Sequence, residues 1–171
     1  MQLLAQIFRR PDRTVSELAE AVGISHSRAS QELRRLQSRG LLKADRRGRW
    51  VRYSPVADPR VPSAKPLVRA MQAALASRSP HAEGDCLRIA SALTHPRRLR
   101  VVQVLLHGPR KFSDLAVATD IPGISLARHL RYLRVRELIT NEDKRHRLIA
   151  DPHPLARCLM VLLKTSRDAV R

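Results

Sequence analysis

Thr14-Val15-Ser16-Glu17-Leu18-Ala19-Glu20-Ala21-Val22-Gly23-Ile24-Ser25-His26-Ser27-Arg28-Ala29-Ser30-Gln31-Glu32-Leu33-Arg34-Arg35-Leu36 is punctuated as two helices about a tight turn. Thr14 with Glu17 three residues later forms a capping box, which satisfies the orphan amides at a helix start. Leu18, Ala19 and Val22 give that helix an apolar stripe, Gly23 breaks it, and Ser25 caps a second helix whose buried stripe is Ala29, Leu33 and Leu36. This is helix-turn-helix spacing. His26, Ser27, Ser30, Gln31, Arg34 and Arg35 are left on the outer face of the second helix.

Downstream of Gly40, Leu41-Leu42-Lys43-Ala44 and Arg49-Trp50-Val51-Arg52-Tyr53 flank Asp45-Arg46-Arg47-Gly48, which predicts a β-hairpin with a basic tip. Arg46, Arg47 and Arg49 at that tip suit a phosphate backbone. Trp50 and Tyr53 are expected to plug the hairpin onto the helices. Upstream, Leu3, Leu4, Ile7 and Phe8 have helical spacing over residues 2–9; beyond a proline-rich stretch at 55–64, Leu67, Val68, Met71 and Leu75 line a helix from Lys65 to about Arg78.

The pattern occurs twice. Shifting the chain by 97 positions lays Thr14–Ala19 on Lys111-Phe112-Ser113-Asp114-Leu115-Ala116, and without a gap Ile24 on Ile121, Leu33 on Leu130, Arg34 on Arg131, Leu41 on Leu138 and Pro55 on Pro152. A match of this length predicts two copies of one folding unit: 1–79, a polar linker 80–85, and 86–171. The second copy opens with an apolar helix over 86–93 that the first lacks, since Met1 aligns with Arg98. Helices over 111–119 and 124–136, a hairpin over 138–150 and a helix from Pro154 complete it. The fold class is mostly α with small β-hairpins.

The chain has 171 residues and a net charge of +18, divided as 16 basic against 6 acidic in 1–80 (+10) and 17 against 9 in 81–171 (+8). Both halves favour a polyanion, although the excess of Arg over Lys is also what a GC-rich genome gives. Aromatics are 3% of the chain, too few to stack unpaired bases, so duplex DNA is the expected partner. No apolar run approaches the roughly 18 residues of a membrane span, and the N-terminus has no signal-peptide pattern. A soluble protein of the cytoplasm, on the bacterial nucleoid, is expected; two cysteines agree with a reducing compartment.

The run Ala92-Leu93-Thr94-His95-Pro96-Arg97-Arg98-Leu99-Arg100-Val101-Val102 with the following helix pair and hairpin resembles the ArsR family of bacterial winged-helix repressors, and residues 16–19, 25–36 and 48–53 resemble it equally in the first copy. The resemblance implies tandem winged helix-turn-helix domains and a dimeric, sequence-specific DNA-binding regulator with its recognition helix in the major groove and its wing on the flank. Family members often release DNA on binding a metal, an oxidant or a small ligand.

The first copy carries the better base-reading helix, because Gln pairs bidentately with adenine and Arg with guanine or phosphate. In the second, the matching positions are Gly123, Ile124, Ala127 and Arg128. Arg128, Arg131, Lys144, Arg145 and Arg147 are left to hold phosphate, so this copy is assigned to positioning or dimerisation. The alignment also places Arg145 on the turn glycine and Ala150 on Tyr53.

Zinc sensors of the family use Asp-x-His at the start of the last helix plus two ligands near its end. Asp151 and His153 match the first pair, but the second falls on Lys164 and Arg167, cations that cannot ligate zinc, so no metal and no cofactor are expected. Cys86 and Cys158, on helices that pack together in the family, form a candidate redox pair; burial as small hydrophobes is the commoner fate of such cysteines. Neither His95 nor His129 has a Ser, Cys or carboxylate at triad spacing, so no enzyme is expected. The rival to a regulator is an interaction or chromosome-architecture module with little sequence preference. Repeat one lacks a first helix but keeps a last one, so the two repeats are expected to pair within one chain as a pseudo-dimer, with a homodimer as the alternative.

Overall fold

A computed structural model describes residues 2–76, 79–151 and 153–168, the side chains of the last three excepted. It divides into two compact units, Met1–Cys86 and Leu87–Arg171. Each has the helix, strand, helix, helix, hairpin, helix order of a winged helix-turn-helix.

In the first unit these are α1 (Gln2–Arg9), β1 (Arg13–Thr14), α2 (Val15–Val22), α3 (His26–Ser38), β2 (Lys43–Arg47), β3 (Trp50–Ser54) and α4 (Ala64–Leu75). The capping box forms: the Glu17 carboxylate accepts from the Thr14 N–H at 2.7 Å, and the Glu17 N–H donates to the Thr14 hydroxyl at 3.3 Å. The Thr14 N–H and the Thr14 hydroxyl, each donating to that carboxylate at 2.7 Å, hold the Glu17 carboxyl below its ordinary pKa. Gly23, at φ 67° and ψ 37°, ends α2 in the left-handed region, and the Ile24 N–H returns to the Ala19 carbonyl at 3.1 Å. Leu3, Leu4, Ile7, Leu18, Ala29, Leu33, Val68 and Met71 are buried, the interior faces of α1 to α4. The sheet order is β1-β3-β2, all antiparallel, with Arg13 opposite Tyr53 and Lys43 opposite Ser54.

The second unit follows α5 (Ala82–Ala92) with α6 (Pro96–Leu105), β4 (Arg110–Lys111), α7 (Phe112–Thr119), α8 (Gly123–Val135), β5 (Ile139–Glu142), β6 (Arg145–Leu148) and α9 (Pro154–Asp168). Its core gathers Val101, Val102, Leu115, Leu126, Leu133, Leu138 and Ile139, with Leu159, Met160 and Leu163 of α9 packed against it. Asp120 takes the left-handed C-cap position of Gly23, at φ 51°; Glu137, at φ 56°, takes that of Gly40. The two helix-turn-helix segments therefore keep the 97-residue offset at both turns.

Three expectations are corrected. Residues 82–85, read as linker, are the first turn of α5: the Ala82 N–H bonds to the Ser79 carbonyl and the Asp85 N–H to the His81 carbonyl, with Glu83 and Asp85 placed where a helix dipole favours acid. The boundary between the units falls within this helix. Secondly, the ungapped alignment fails at the hairpin. Ala44 faces Tyr53 with residues 45–52 beyond the pair, whereas Asn141 faces His146 with only residues 142–145 beyond it. The second hairpin is thus four residues shorter, and the register matches Tyr53 with His146, not Ala150. Its turn is Asp143-Lys144, at φ 51° and 58°, both positive as a type I′ connection requires; Arg145 occupies no turn position. Thirdly, Tyr53 is buried but Trp50 is 46% exposed near the hairpin tip, so only the tyrosine plugs the hairpin onto its helices.

Candidate nucleic-acid interface

The outer face of α3 presents the expected residues. His26, Ser27, Gln31, Arg34 and Arg35 are exposed and Ser30 is partly so, while Ala29 and Leu33 turn into the core. Ser25 accepts from the Arg28 N–H at 3.3 Å, which fixes where the helix begins and hence which residues face outward. Arg28, absent from the sequence reading, is also on this surface; its guanidinium pairs with Glu32 at 3.2 Å one turn on.

The first wing is less uniformly available. Arg47 lies 3.1 Å from Asp45 and 3.5 Å from Asp12, and the bonded Asp45 carboxylate pushes its pKa further up. Arg46 and Arg49 have no carboxylate partner among the described residues, and the Arg49 guanidinium stacks over the Trp50 ring at 4.9 Å. An exposed indole beside a stacked arginine at the wing tip is a contact the sequence reading missed. Apolar Val51 and Tyr53 at i and i+2 share the inner face of β3, which puts Trp50 on the outer one and was the weak signal for it.

In the second unit Arg128 and Arg131 are exposed on α8 without a carboxylate partner among the described residues. Lys144 and Arg145 are exposed at the short wing, and Arg147 pairs with Glu142 at 3.2 Å. Other arginines serve the fold. Arg98 bonds to the Ala92 and Ser91 carbonyls, Arg100 to the Thr119 carbonyl, and Arg98 and Arg136 stack over the two sides of Tyr132 at 4.2 and 3.8 Å. These arginines keep their charge, but their guanidinium groups are already engaged within the fold.

Helix α8 is backed by a histidine pair. His129 is buried, its ring centroid 4.7 Å from that of His95, and burial together with His95, Arg98, Arg97 and Arg128 holds its pKa below the ordinary value. His95 spends its Nδ1 accepting from the Arg97 N–H at the start of α6. The half-buried His146 is likewise pushed down, by burial first and then by Arg134.

Asp151 and His153 have structural work. Asp151 accepts from the His153 N–H at 2.8 Å and lies 3.6 Å from Arg88, and His153 Nδ1 accepts from the Leu155 N–H at 3.2 Å, capping α9. Lys164 is exposed on that helix; the Arg167 side chain lies outside the described residues, as does Pro152. Among the described residues no group of three or more His, Cys, Asp or Glu is placed to hold a metal ion. The Cys86 thiol is buried and the Cys158 thiol half-buried; burial raises both pKa values, for Cys86 reinforced by Asp85 and Glu83. That is opposite to the lowering that activates a redox thiolate. No helix among the described residues is long and apolar enough to cross a membrane.

The family model that matches is that of the MarR family, over residues 1–49. Among solved structures the chain is similar to HlyU from Vibrio cholerae, at 18% identity and a TM-score of 0.45 over 52% of this chain and 97% of that one. It is also similar to the homodimeric winged helix-turn-helix DNA-binding domain Mb0332 from Mycobacterium bovis, described as a possible ArsR-family transcriptional regulator, at 24% identity and 0.42 over 56% and 92%. No curated protein matches the chain. What the geometry establishes is the fold: each unit is a winged helix-turn-helix, and the first carries the MarR-family match.

Proposed function

We propose that the chain is a duplex-DNA-binding transcriptional regulator of ArsR type, a cytoplasmic repressor built from two copies of one winged helix and working without a metal. The observation that carries this reading is the outer face of α3, where Ser27, Gln31, Arg34 and Arg35 stand exposed on a capped helix in the same unit as a wing bearing exposed Arg46 and Arg49. Hydrogen-bond readout falls to this helix, and phosphate contact to Arg128, Arg131, Lys144 and Arg145. Both units act on one site as an intramolecular pair, so a monomer of 19.4 kDa is the binding species, and an obligate dimer at nanomolar concentration overturns that arrangement.

The test is binding to duplex DNA at graded salt. Contacts to roughly 6–10 phosphates predict a loss of about 10³–10⁵ in affinity between 50 and 200 mM. A flat response removes DNA as the partner. A ratio of specific to bulk affinity near one favours an architectural module.

A further inference from the structure

The tip of the second helix-turn-helix carries apolar side chains where water would be expected. Ile124, in the first turn of α8, is 83% exposed, and Val117 on α7 is 85% exposed. The positions 97 residues earlier hold Ser27 and Glu20. Ile124, Ala127, Arg128 and Arg131 are all exposed at i, i+3, i+4 and i+7, so they share one face of α8. Both arginines lack a carboxylate partner among the described residues.

A single exposed aliphatic residue needs no explanation, but Ile124 and Ala127 on one face of α8, interleaved with two cations that lack a carboxylate partner among the described residues, restrict what can cover them. A second copy of the chain would bring another strongly basic surface against Arg128 and Arg131, given the net charge of +18. A duplex answers both features. Its phosphates suit the arginines, and its major groove presents one apolar group, the C5 methyl of thymine.

We propose that α8 reads thymine methyl groups in the major groove through Ile124 and Ala127, with Arg128 and Arg131 on the adjoining phosphates. The proposal rests on the duplex-DNA reading and gives the second unit a sequence preference of its own. It differs in kind from that of α3. The α3 face discriminates by donors and acceptors, whereas the α8 face discriminates by filling space with a methyl group.

The experiment uses the full chain and a site selected from random duplexes. Each thymidine of that site is replaced in turn by deoxyuridine, which keeps every hydrogen-bonding edge and removes only the methyl. Loss of about fourfold in affinity per contacted methyl is expected, from the burial value of a methylene-sized group. Ile124→Ser, exposed and outside the core, should remove that discrimination, so that its affinities for the thymidine and deoxyuridine duplexes become equal. Equal affinity for thymidine and deoxyuridine throughout the site, with salt-sensitive binding intact, overturns the proposal and leaves the DNA reading standing. An Ile124→Ser chain that changes from dimer to monomer without DNA also overturns it, because the face is then a protein interface. Failure to bind any duplex at 50 mM salt overturns both.

Discussion

The helices α3 and α8 occupy the same place in their units and share little of their surface. Both have thirteen residues, follow a left-handed turn residue at Gly23 or Asp120, and end at another at Gly40 or Glu137. Their buried faces match as well: Ala29 and Leu33 in one, Leu126, Leu130 and Leu133 in the other. The outer faces differ, polar in α3 and apolar with arginine in α8. The constraint on the helix-turn-helix is therefore internal, set by packing and capping, and the exposed face is free to carry a different chemistry. That freedom permits the unequal roles proposed for the two units.

The sharpest test of the inequality removes one core at a time. Leu33→Ala and Leu130→Ala each delete a buried leucine and should cost about 2–5 kcal/mol. Thermal unfolding with hydrogen exchange should place each loss in its own unit; equal loss of protection across both units by either variant would show that they unfold as one body.

On DNA, Gln31→Ala or Ser27→Ala should relax base preference by about 1–3 kcal/mol, whereas Arg131→Ala should weaken all sequences alike and reduce the salt slope by about one. Competition titrations with single base-pair variants check this. Equal loss of specificity from Gln31→Ala and Arg131→Ala would erase the division of labour. Zinc should leave both measurements unchanged, because Asp151 and His153 are engaged at the start of α9.

The caps separate the units by a smaller amount. Thr14→Ala should cost about 1 kcal/mol, since it removes the hydroxyl that accepts from Glu17. At the matching place Lys111 has no side-chain acceptor, and the cap is made from one side alone, its N–H donating to Asp114 at 3.3 Å. Lys111→Thr should accordingly gain several tenths of a kcal/mol, read by denaturant unfolding. No gain there would mean the position is already satisfied in another way.

Acid should distinguish the units too. His129 and His146 have lowered pKa values, so the unfolded chain binds more protons as pH falls through about 6.5, and the second unit loses stability from that point downward. In the first unit the lowered groups are Glu17 and Asp58, whose contribution is present above their ordinary values of 4.5 and 3.8 and is lost only below them. A pH series of hydrogen-exchange protection should show the second unit opening first. Parallel loss in both units between pH 6.5 and 5 contradicts the assignment.

Much of the architecture was legible because local chemistry and packing agree. Thr14, Glu17, Gly23 and Ser25 each do in the fold what their type does in isolation. The errors arose where sequence identity and backbone role part company. Asp120 and Glu137 adopt the conformation that Gly23 and Gly40 signal openly, so the second unit hides its turns. The short second hairpin was invisible because arginines recur along it, and aligning Arg145 with Gly48 cost nothing. For the interface, exposed positions on α3 could be assigned by helical period, but whether an arginine is available could not. Arg47 and Arg147 have carboxylates beside them, Arg98 and Arg136 hold Tyr132, and only tertiary placement tells them from Arg46 or Arg131.

In the proposed complex, a second hairpin four residues shorter than the first sets a different length of DNA protected by each unit. Two rungs fewer, at about 3.3 Å each, bring the tip back by roughly 7 Å. Along one strand of a duplex that is a step of about two nucleotides, at 3.4 Å each. A hydroxyl-radical footprint should thus be lopsided, extending about two nucleotides further on the flank covered by Arg46, Arg49 and Trp50 than on the flank covered by Lys144 and Arg145.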